Sequence, residues 1–467
     1  MTYEQLEHVH RKWYDENLPY KMTFWKDFDY GKLSRILVRR RTSHTDEKTY
    51  SDCIIMADTE TSKKQKVFRT VHTKEKDYPQ HENHVVAWTI SVRAFGRNLV
   101  TVWGRKPSEM VAAIEQIHGN LPGDFTIIYF HNLAYDYVFL RKFFFRSWGF
   151  PDSELATKPH YPIMIRWDAG LILKDSLILA QRSIERWGRD MDVEHQKAVG
   201  KWDYDKIRTQ YEDFTPEELE YIEHDTLAGV ECLDAFRIAL DKNIVTMPYT
   251  ATGIPRNEVR KRGKPERARD FFSRTVMTFD EYIECEQVYH GGYTHANRHE
   301  VGYVHTAECF DFASSYPYVL LSEKYPMERF TPLSDKSARW ILEHGEDNAF
   351  MFRAVFRDIR LKDKMEPMPV LQFSQCSRTV NAIVDNGRIL SADLVILHLN
   401  EVDLELIVRQ YQFSAHICTD VRMAAKKYLP RYLTDYIFQC FGDKTVLKGG
   451  DPVSYALAKS RINSVYG

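Results

Sequence analysis

Short apolar runs and one helical stretch alternate along the first part of the chain. In chain order they are a strand pattern at 53–57, strand-like runs at 84–95 and 98–104, a helical stretch after Pro107 and an apolar strand at 125–132. Apolar runs bounded by turn residues are typical of strands in a buried sheet, whereas a 3.6-residue period is typical of helices. The order predicts an α/β domain built on a ribonuclease H-like sheet.

A later helix has a complete start signal. Thr215 is placed as N-cap, Pro216 as the first helical residue, and Glu218 follows three residues after the threonine. This is the pattern of a capping box with proline at the first turn, and it predicts a helix from about Pro216 to Leu240. Beyond it, the basic stretch 252–264 contains proline and glycine, which predicts a linker and the main domain boundary.

Composition adds only broad limits. The 467 residues are 43% hydrophobic and 28% charged, which is typical of a folded protein of about two to four domains. The net charge of −2 means that a polyanion must be held by local basic patches or metal ions. One basic run contains Arg256, Arg260, Lys261, Arg262, Lys264, Arg267 and Arg269, although such a run is more often a solvated surface. The seven cysteines are scattered and include no Cys-x-x-Cys pair, so we expect reduced thiols and a cytoplasmic protein. No stretch of about 18 apolar residues occurs, so we expect no membrane contact.

Three acidic patterns carry candidate chemistry. Asp58 and Glu60 close the first predicted strand, and residues two apart on a strand share a face. Asp136 follows another apolar strand, where open α/β sheets place their sites. Asp225 lies on the capped helix one turn after Tyr221. Each pattern alone is weak evidence for a functional site, since acidic pairs usually mark turns. Together they are stronger, because each carboxylate lies on or directly after a predicted strand or helix of the same domain.

Four carboxylates brought together would repel one another and take up protons unless hard cations neutralised them. In-line hydrolysis of a phosphodiester benefits from two metal ions about 3.5–4 Å apart. The set therefore predicts a two-metal site for Mg²⁺ or Mn²⁺, and Tyr221 is placed to orient the attacking water.

These residues resemble the exonuclease motifs of proofreading family B DNA polymerases: Asp-x-Glu, Asn-x-x-(Phe/Tyr)-Asp and Tyr-x-x-x-Asp, in that order. The resemblance implies that the metal ligands are Asp58, Glu60, Asp136 and Asp225, with Tyr221 as the water-orienting residue. It implies contacts to a frayed 3′ strand from Thr61, His131, Asn132 and Tyr135, and, through an Asp-Ser-Leu segment found in protein-primed members, from Ser176 and Leu177. It also implies a catalytic lysine, for which Lys197 is favoured over Lys201, with a surface lysine as the alternative.

Three later motifs resemble the polymerase domain of the same family. They are Tyr289-His290-Gly291-Gly292, the segment 311–317 with Ser315 where the family has leucine, and the segment 459–467. The first implies that Tyr289, Gly291 and Gly292 balance the primer between the polymerising site and the editing site. The second implies that Asp311 and the Phe312 carbonyl bind a metal ion and that Tyr316 excludes a ribose 2′-hydroxyl. The third implies that Lys459 contacts the incoming triphosphate, and that Asn463 and Tyr466 shape the pocket around the new base pair.

The long stretch between the second and third motifs points to one branch of the family. Segment 400–407 is similar to the distal flank of an insertion that contacts the terminal protein and DNA in protein-primed members. The chain thus resembles a protein-primed family B DNA polymerase of the viral or linear-replicon type. The implied partners are primer-template and single-stranded DNA, dNTPs and a terminal protein.

The resemblance predicts a division of the chain into four parts. These are an N-terminal extension at 1–49, a ribonuclease H-like 3′→5′ exonuclease domain at 50–250, a basic linker at 251–275, and a partial α+β polymerase domain at 276–467 with an insertion at about 320–435 and the fingers motif at 459–467.

The family's second palm motif, Tyr-x-Asp-Thr-Asp-Ser, does not occur in the sequence. We therefore expect polymerisation to need a C-terminal polymerase fragment. The competing hypotheses are a stand-alone 3′→5′ exonuclease, which leaves the later motifs without purpose, and a DNA-binding remnant, which leaves the four carboxylates without purpose.

Overall fold

The computed structural model describes residues 19–42, 48–72, 77–197, 202–203, 206–265, 267–297, 299–300, 302, 306, 308–312 and 314–465. Tertiary contacts divide the chain into a first unit, Met1–Arg256 with Gly442–Val465, and a second unit, Asn257–Phe441. None of the helices in the described ranges combines the length and the apolar character that crossing a membrane requires.

The first unit is built on an eight-stranded mixed sheet. Its strands are β1 (Met22–Phe24), β4 (Ile54–His72), β5 (Asp77–Ala94), β6 (Arg97–Gly104), β7 (Thr126–Phe130), β8 (Ser153–Ala156), β9 (Pro162–Arg166) and β10 (Leu171–Asp175), while β2 (Arg39–Arg41) and β3 (Thr49–Ser51) form a separate antiparallel pair. The order across the sheet is β1-β6-β5-β4-β7-β10-β9-β8. Strands β4, β7 and β10 run parallel, and β4, β5 and β6 are antiparallel neighbours. The predicted order of three strands, a helix and a strand is confirmed.

Helices cover both faces of this sheet. They are α1 (Gly31–Ile36), α2 (Pro107–Asn120), α3 (Leu133–Trp148), α4 (Leu177–Ala180), α5 (Ile184–Met191) and α6 (Pro216–Ala239). One core joins α2 and α3 to Ile55 and Ala57 of β4, and another joins α5 and α6 to Ile54 and Met56. Alternate residues of β4 therefore belong to opposite cores, as the two-residue period of a strand requires.

The start of α6 agrees with its sequence signal. The Thr215 hydroxyl accepts a hydrogen bond from the Glu218 backbone, and the Glu218 carboxylate accepts one from the Thr215 backbone. These bonds satisfy donors that a helix N-terminus leaves without partners. The predicted helix is confirmed, and it ends at Ala239.

The predicted boundary at residue 50 lies too late in the chain. Strand β1 pairs in parallel with β6, and Leu33 and Ile36 of α1 are fully buried in the core that contains α2 and α3. The described part of the predicted extension is thus part of the first unit. A three-residue strand and a six-residue helix are too short for hydrophobic periodicity to reveal.

The predicted linker at 251–275 is folded rather than extended. It forms α7 (Gly253–Arg262) and α8 (Ala268–Thr275). Pro255 lies in the first turn of α7, where the missing N–H costs nothing because it would have no partner in the helix. Proline and glycine therefore mark helix ends here and not a flexible connection.

The second unit contains an antiparallel sheet with helices around it. Its helices are α9 (Phe279–Val288), α10 (Ser315–Ser322), α11 (Ala338–His344), α12 (Glu401–Gln410) and α13 (Arg431–Val446), of which α13 belongs to this unit as far as Phe441. Its strands are β11 (Tyr325–Pro326), β12 (Thr331–Pro332), β13 (Asn348–Leu361), β14 (Cys376–Val380), β15 (Ile383–Asp385), β16 (Arg388–Asn400), β17 (Tyr411–Gln412) and β18 (Ala415–Lys427). The main order is β11-β18-β13-β16-β14. Helices α11 and α12 contribute to its hydrophobic core, for example through Ile341 and Leu404.

The last helix, α14 (Pro452–Asn463), packs within the first unit. Its Ala456 and Leu457 are buried in the core that contains α5 and α6. The stretch 276–467, predicted as one polymerase domain, is therefore divided between the two units. Tertiary packing of a short apolar helix face decides this, and the motif at 459–467 carries no signal for it.

Candidate active site

The first site is built where β4 passes helix α6. Asp58 and Glu60 continue the face of β4 whose Met56 packs in the core with α6. Asp225 projects from α6 and is 5% exposed. The carboxylate oxygens of Asp58, Glu60 and Asp225 lie within 4.8 Å of one another. Strand periodicity and one helix thus bring together three of the four predicted ligands, although β4 extends beyond them to His72 instead of closing at Glu60.

Asp136 reaches the same strand from the first turn of α3. Its Oδ1 accepts hydrogen bonds from the Thr59 backbone N–H at 3.1 Å and from the Thr59 hydroxyl at 2.6 Å. The carboxylate is 2% exposed. Thr59 lies between Asp58 and Glu60, so the fourth predicted carboxylate is fixed beside the other three. Sequence reasoning missed Thr59, whose only signal is its place inside the Asp-x-Glu motif.

The pKa values of these four carboxylates are all raised above the ordinary range, because the groups are buried and close to one another. Burial raises the pKa of Asp58 well above its usual range, and the charges of Asp136 and Glu60 add to the effect. Burial and the Asp225 charge raise the pKa of Glu60 to about 8. Burial raises the pKa of Asp136 to about 7, against the hydrogen bonds from Thr59. Burial also raises the pKa of Asp225, against the cation of Lys197.

This donor set fits a divalent cation. Carboxylate oxygens are the ligands that hard cations such as Mg²⁺ prefer. The Oδ1 atom of Asp225 is buried and has no hydrogen-bond partner in the described part of the chain. A buried acceptor without a partner is costly unless another group binds it. The acidic cluster of Asp58, Glu60 and Asp225 is therefore a group that can hold a metal ion, with Asp136 beside it.

Tyr221 lies one turn before Asp225 and is held by an aromatic stack. Its ring stacks on Trp202, with centroids 5.5 Å apart and planes 25° apart. The Arg208 guanidinium carbon lies 4.0 Å from the Trp202 ring centroid. Arg208 also donates to the Glu218 carboxylate at 2.8 Å. Neither Trp202 nor Arg208 was predicted, because stacking between distant residues has no sequence signal.

Lys197 reaches the acidic cluster. Its Nζ lies 2.8 Å from Oδ2 of Asp225, and also 5.5 Å from the ring centroid of Tyr221. The other candidate lysine, Lys201, lies outside the described residues.

The residues predicted to contact a DNA strand divide into two groups. The hydroxyls of Thr61 and Tyr135 are 2.5 Å apart, and the Tyr135 side chain is 41% exposed. Asn132 is exposed and has φ of 86°, a left-handed conformation that asparagine tolerates better than most residues. Thr61 follows Glu60 in β4, Tyr135 precedes Asp136 in α3, and Asn132 precedes the first residue of α3.

The second group is mostly internal. The His131 ring contacts the Ser176 hydroxyl at 3.0 Å and the Arg182 carbonyl at 3.0 Å, and burial lowers its pKa to about 4. Ser176 is fully buried, while Leu177 begins α4 and is partly buried. The neighbouring Asp175, which sequence reasoning left without a role, accepts a hydrogen bond from the Leu133 backbone at 2.9 Å. Asp175 thereby fixes the start of α3, which carries Asp136.

A small cavity opens onto the carboxylates. Its volume is about 200 Å³, and its lining includes Asp58, Asp225, His131 and Lys197. Ser183 and Glu185 at the start of α5 also line it, and neither residue belongs to a motif that could be recognised in the sequence.

A further group of potential ligands, Glu194, His195 and Glu231, lies on the same helix side of the first unit. Glu231 is 3% exposed and already accepts hydrogen bonds from His195 and from Asn98 at 2.7 Å. Arg93 also lies 3.8 Å from it. The Glu231 carboxylate is therefore already engaged by hydrogen bonds, whereas Glu194 is exposed.

The predicted polymerase residues of the second unit lie on or near its surface. Asp311 and Phe312 are exposed, and Tyr316 is in the first turn of α10. A Cβ placed on Gly292 would lie 3.3 Å from the Tyr316 hydroxyl, so the glycine permits a close approach between two motifs. Tyr289 is 77% exposed, and Gly291 is exposed as well.

The motif at 289–292 also contacts the 400–407 segment. His290 Nε2 lies 3.0 Å from Oδ1 of Asp403 in α12. Although burial opposes it, the hydrogen bond to Asp403 raises the pKa of His290. Both residues line a cavity of about 480 Å³ with Leu399 and Ile407 on its apolar side.

The third motif lies on α14 of the first unit. Lys459 and Asn463 are exposed and four residues apart, so they share one face of the helix. Tyr466 lies outside the described residues.

The first unit combines the strand order expected of a ribonuclease H-like domain with a buried acidic cluster, and the second unit is an antiparallel sheet surrounded by helices. A family model for DNA polymerase type B, organellar and viral, matches residues 193–467. The chain belongs to this family.

Individual relatives agree with the family. The chain is 23% identical over 359 residues to the DNA polymerases of Bacillus phages Nf and M2, covering 73% of this chain and 58% of the phage proteins. It thus spans under two thirds of the length of these relatives. Among solved structures, Phi29 DNA polymerase complexed with primer-template DNA matches with a TM-score of 0.65 and 19% identity, and the same enzyme complexed with single-stranded DNA matches with a TM-score of 0.63 and 18% identity. Each match covers 89% of this chain and 67% of the Phi29 chain.

Proposed function

We propose that the protein is a protein-primed DNA-directed DNA polymerase with a 3′→5′ proofreading exonuclease, and that the first unit carries the exonuclease. One observation carries the exonuclease assignment: the carboxylates of Asp58, Glu60 and Asp225 lie within 4.8 Å of one another, with Asp136 fixed beside them by Thr59. Carboxylates whose pKa values are strongly raised by burial and by neighbouring charges are characteristic of functional sites.

The proposed ligands of two Mg²⁺ or Mn²⁺ ions are Asp58, Glu60, Asp136 and Asp225. When bound, such ions supply charge neutralisation and activation of water for in-line phosphodiester hydrolysis. The chain's own contribution is to hold these carboxylates in place through β4, α3 and α6.

Around this cluster, each remaining residue has a proposed task. The hydroxyl of Tyr221 orients the attacking water, because its ring is fixed by Trp202 one turn from Asp225. Lys197 places a positive charge beside Asp225, which favours the anionic groups of a bound phosphodiester.

The single-stranded 3′ end lies against the exposed side chains of Asn132 and Tyr135. Tyr135 offers an exposed aromatic face for base stacking, and its hydroxyl is held by Thr61. Asn132 contacts the strand directly. His131, Ser176 and Leu177 shape the floor beneath it, and the neutral His131 ring donates no charge to the strand.

The second unit and α14 carry the proposed polymerase residues. Asp311 and the Phe312 carbonyl would hold a metal ion that neutralises the charge of the incoming dNTP, and Tyr316 excludes a ribose 2′-hydroxyl. Lys459 contacts the triphosphate, while Asn463 and Tyr466 shape the base-pair pocket. Tyr289, Gly291 and Gly292 guide the primer, which the close approach of Gly292 to Tyr316 supports.

The proposed partners are primer-template DNA, single-stranded DNA and a terminal protein. The last contact is assigned to the insertion at about 320–435, whose α12 carries the 400–407 segment.

A nuclease assay tests this proposal. The wild-type protein should shorten single-stranded DNA in a metal-dependent reaction, and Asp58→Ala with Glu60→Ala should lower the rate at least about 100-fold, since loss of residues that merely support a metal site costs about 10–100-fold. Glu217→Ala is the matched control, because this exposed carboxylate lies on the first turn of α6. Equal rates in the double variant and the wild type would overturn the assignment.

A further inference from the structure

The loop that presents Lys197 is short and leads directly from α5. The helix ends at Met191, and Lys197 follows six residues later with its amine beside Asp225. A lysine side chain has many rotamers, so the position of its amine depends on how firmly the backbone below it is held.

Glu231 of helix α6 holds this loop two residues before the lysine. Its Oε2 accepts a hydrogen bond from the His195 backbone N–H at 3.0 Å, and its Oε1 lies 2.7 Å from Nδ1 of the same residue. Both oxygens of one buried carboxylate are therefore used to fix one residue of the loop.

His224 holds the next residue of the loop. Its Nδ1 lies 2.9 Å from the carbonyl oxygen of Gln196, a contact in which the ring nitrogen donates. The rings of His195 and His224 also meet edge to face, with centroids 5.5 Å apart. His224 and Glu231 are seven residues apart, so they lie on one side of α6, two turns from each other.

We propose that Glu231 and His224 are positioning residues for Lys197, and that they place its amine beside Asp225 by fixing the loop at His195 and Gln196. This inference rests on the proposed exonuclease function. Helix α6 then supplies both the metal-ligating Asp225 and the contacts that set the distance of Lys197 from it. A shift of the loop would move the amine while leaving all four carboxylates in place.

Glu231 also has contacts that serve the fold, because Asn98 donates to it and Arg93 lies 3.8 Å away. A simple loss of activity in Glu231→Ala would therefore not separate positioning from stability. A double-mutant cycle with Lys197→Met does so, because two residues that act through one another give non-additive effects.

The expected result is a loss in kcat for single-stranded DNA of about tenfold in Glu231→Ala, with KM changed less than about twofold, as is usual for supporting residues of a metal site. In the Lys197→Met background the same substitution should lower kcat no further. Glu231→Gln, which keeps an oxygen to accept the His195 N–H, should recover most of the activity. Multiplicative losses in the double variant would overturn the proposal.

His224→Ala provides a second route if Glu231→Ala does not fold. It removes one contact to a carbonyl at a partly exposed site, and it should also lower kcat only when Lys197 is present. An undiminished kcat in His224→Ala, or an equal loss with and without Lys197, would contradict the proposal.

The cycle also separates this inference from the function on which it rests. If Asp58→Ala with Glu60→Ala leaves the wild-type nuclease rate unchanged, the proposed function fails. If that rate collapses while Glu231→Ala and Lys197→Met act independently, the exonuclease stands and only the positioning role is wrong.

Discussion

Gly229 of helix α6 approaches Met56 of strand β4 so closely that a Cβ on the glycine would lie 1.8 Å from the Met56 sulfur. Gly229 follows Asp225 by one turn, and Met56 precedes Asp58 by two residues on the same strand face. The glycine therefore lets the helix that carries one carboxylate lie against the strand that carries two others.

Gly229→Ala should force the buried Met56 side chain out of its position, and the dense core around it should transmit part of that shift to α6. We expect a destabilisation of about 1–3 kcal/mol, typical of overpacking, and a larger proportional loss of nuclease activity because Asp225 moves away from Asp58. Thermal unfolding and nuclease rates measure the two effects. Adding Met56→Ala makes room for the new methyl group and should restore part of the activity. A single Gly229→Ala variant with wild-type activity would show that the close approach is not needed.

The raised pKa of Glu60 predicts a stability cost that metal removes. Its pKa is about 8 in the fold against an ordinary value of 4.5, so ionisation costs more in the folded state. Unfolding free energy should therefore fall as pH rises from about 4.5 to about 8 without metal.

Glu60→Gln tests this effect. In EDTA at pH 8 the variant should be more stable than the wild type by up to about 4 kcal/mol, since each unit by which the Glu60 pKa is raised corresponds to about 1.4 kcal/mol, and the difference should nearly vanish at pH 4.5. Mg²⁺ should raise the melting temperature of the wild type more than that of the variant. A variant less stable than the wild type at pH 8 in EDTA would contradict the account.

Trp202 should affect catalysis through Tyr221. Removing its ring in Trp202→Ala leaves Tyr221 without its stacking partner, and a misplacement near 1 Å can cost about 100-fold in rate. We expect kcat to fall about ten- to hundredfold, with KM little changed. Trp202→Phe keeps an aromatic face and should retain most activity. The idea fails if Trp202→Ala changes only KM.

The exposed basic residues of α7, α8 and the turn between them should track DNA phosphates. Arg260, Lys264 and Arg269 are all exposed, whereas Lys261 already pairs with Glu258 at 3.1 Å. Each neutralised phosphate adds about 0.9 to the salt slope of duplex affinity, so replacing all three by glutamine should flatten that slope by about two to three units. Arg339→Gln, at a surface ion pair with Glu343, is the control. An unchanged slope would mean that these residues only solvate the surface.

The chemistry of the site was easier to predict from sequence than its supports. Asp58, Glu60 and Asp225 could be selected because they match the order of the family's exonuclease motifs, and strand periodicity places Asp58 and Glu60 on one face. Thr59, Trp202 and Glu231 could not, because each acts through a contact to a residue far along the chain. Hydrogen bonds and ring stacking between distant residues are set by tertiary packing, which a single sequence does not display.

For the fold too, features set by local sequence were predictable, whereas features set by tertiary packing were not. The capping box at Thr215 was predictable, and so was the order of strands and helix along the chain from β4 to β7. Both are encoded by residues that are close together in the sequence. The two helices in the predicted linker and the packing of α14 in the first unit were missed. Proline and glycine at helix ends resemble those of a loop, and the partner of a short apolar face is unknown until the chain has folded.

The direction of DNA degradation tests the central claim most directly. A single strand labelled at its 5′ end should yield a ladder of fragments shortened stepwise from the 3′ end, only with Mg²⁺ or Mn²⁺ present, and Asp225→Asn should remove the ladder while the protein remains folded. Internal cleavage, shortening from the 5′ end, or an unchanged ladder from Asp225→Asn would contradict the assignment of these carboxylates as a 3′→5′ exonuclease site.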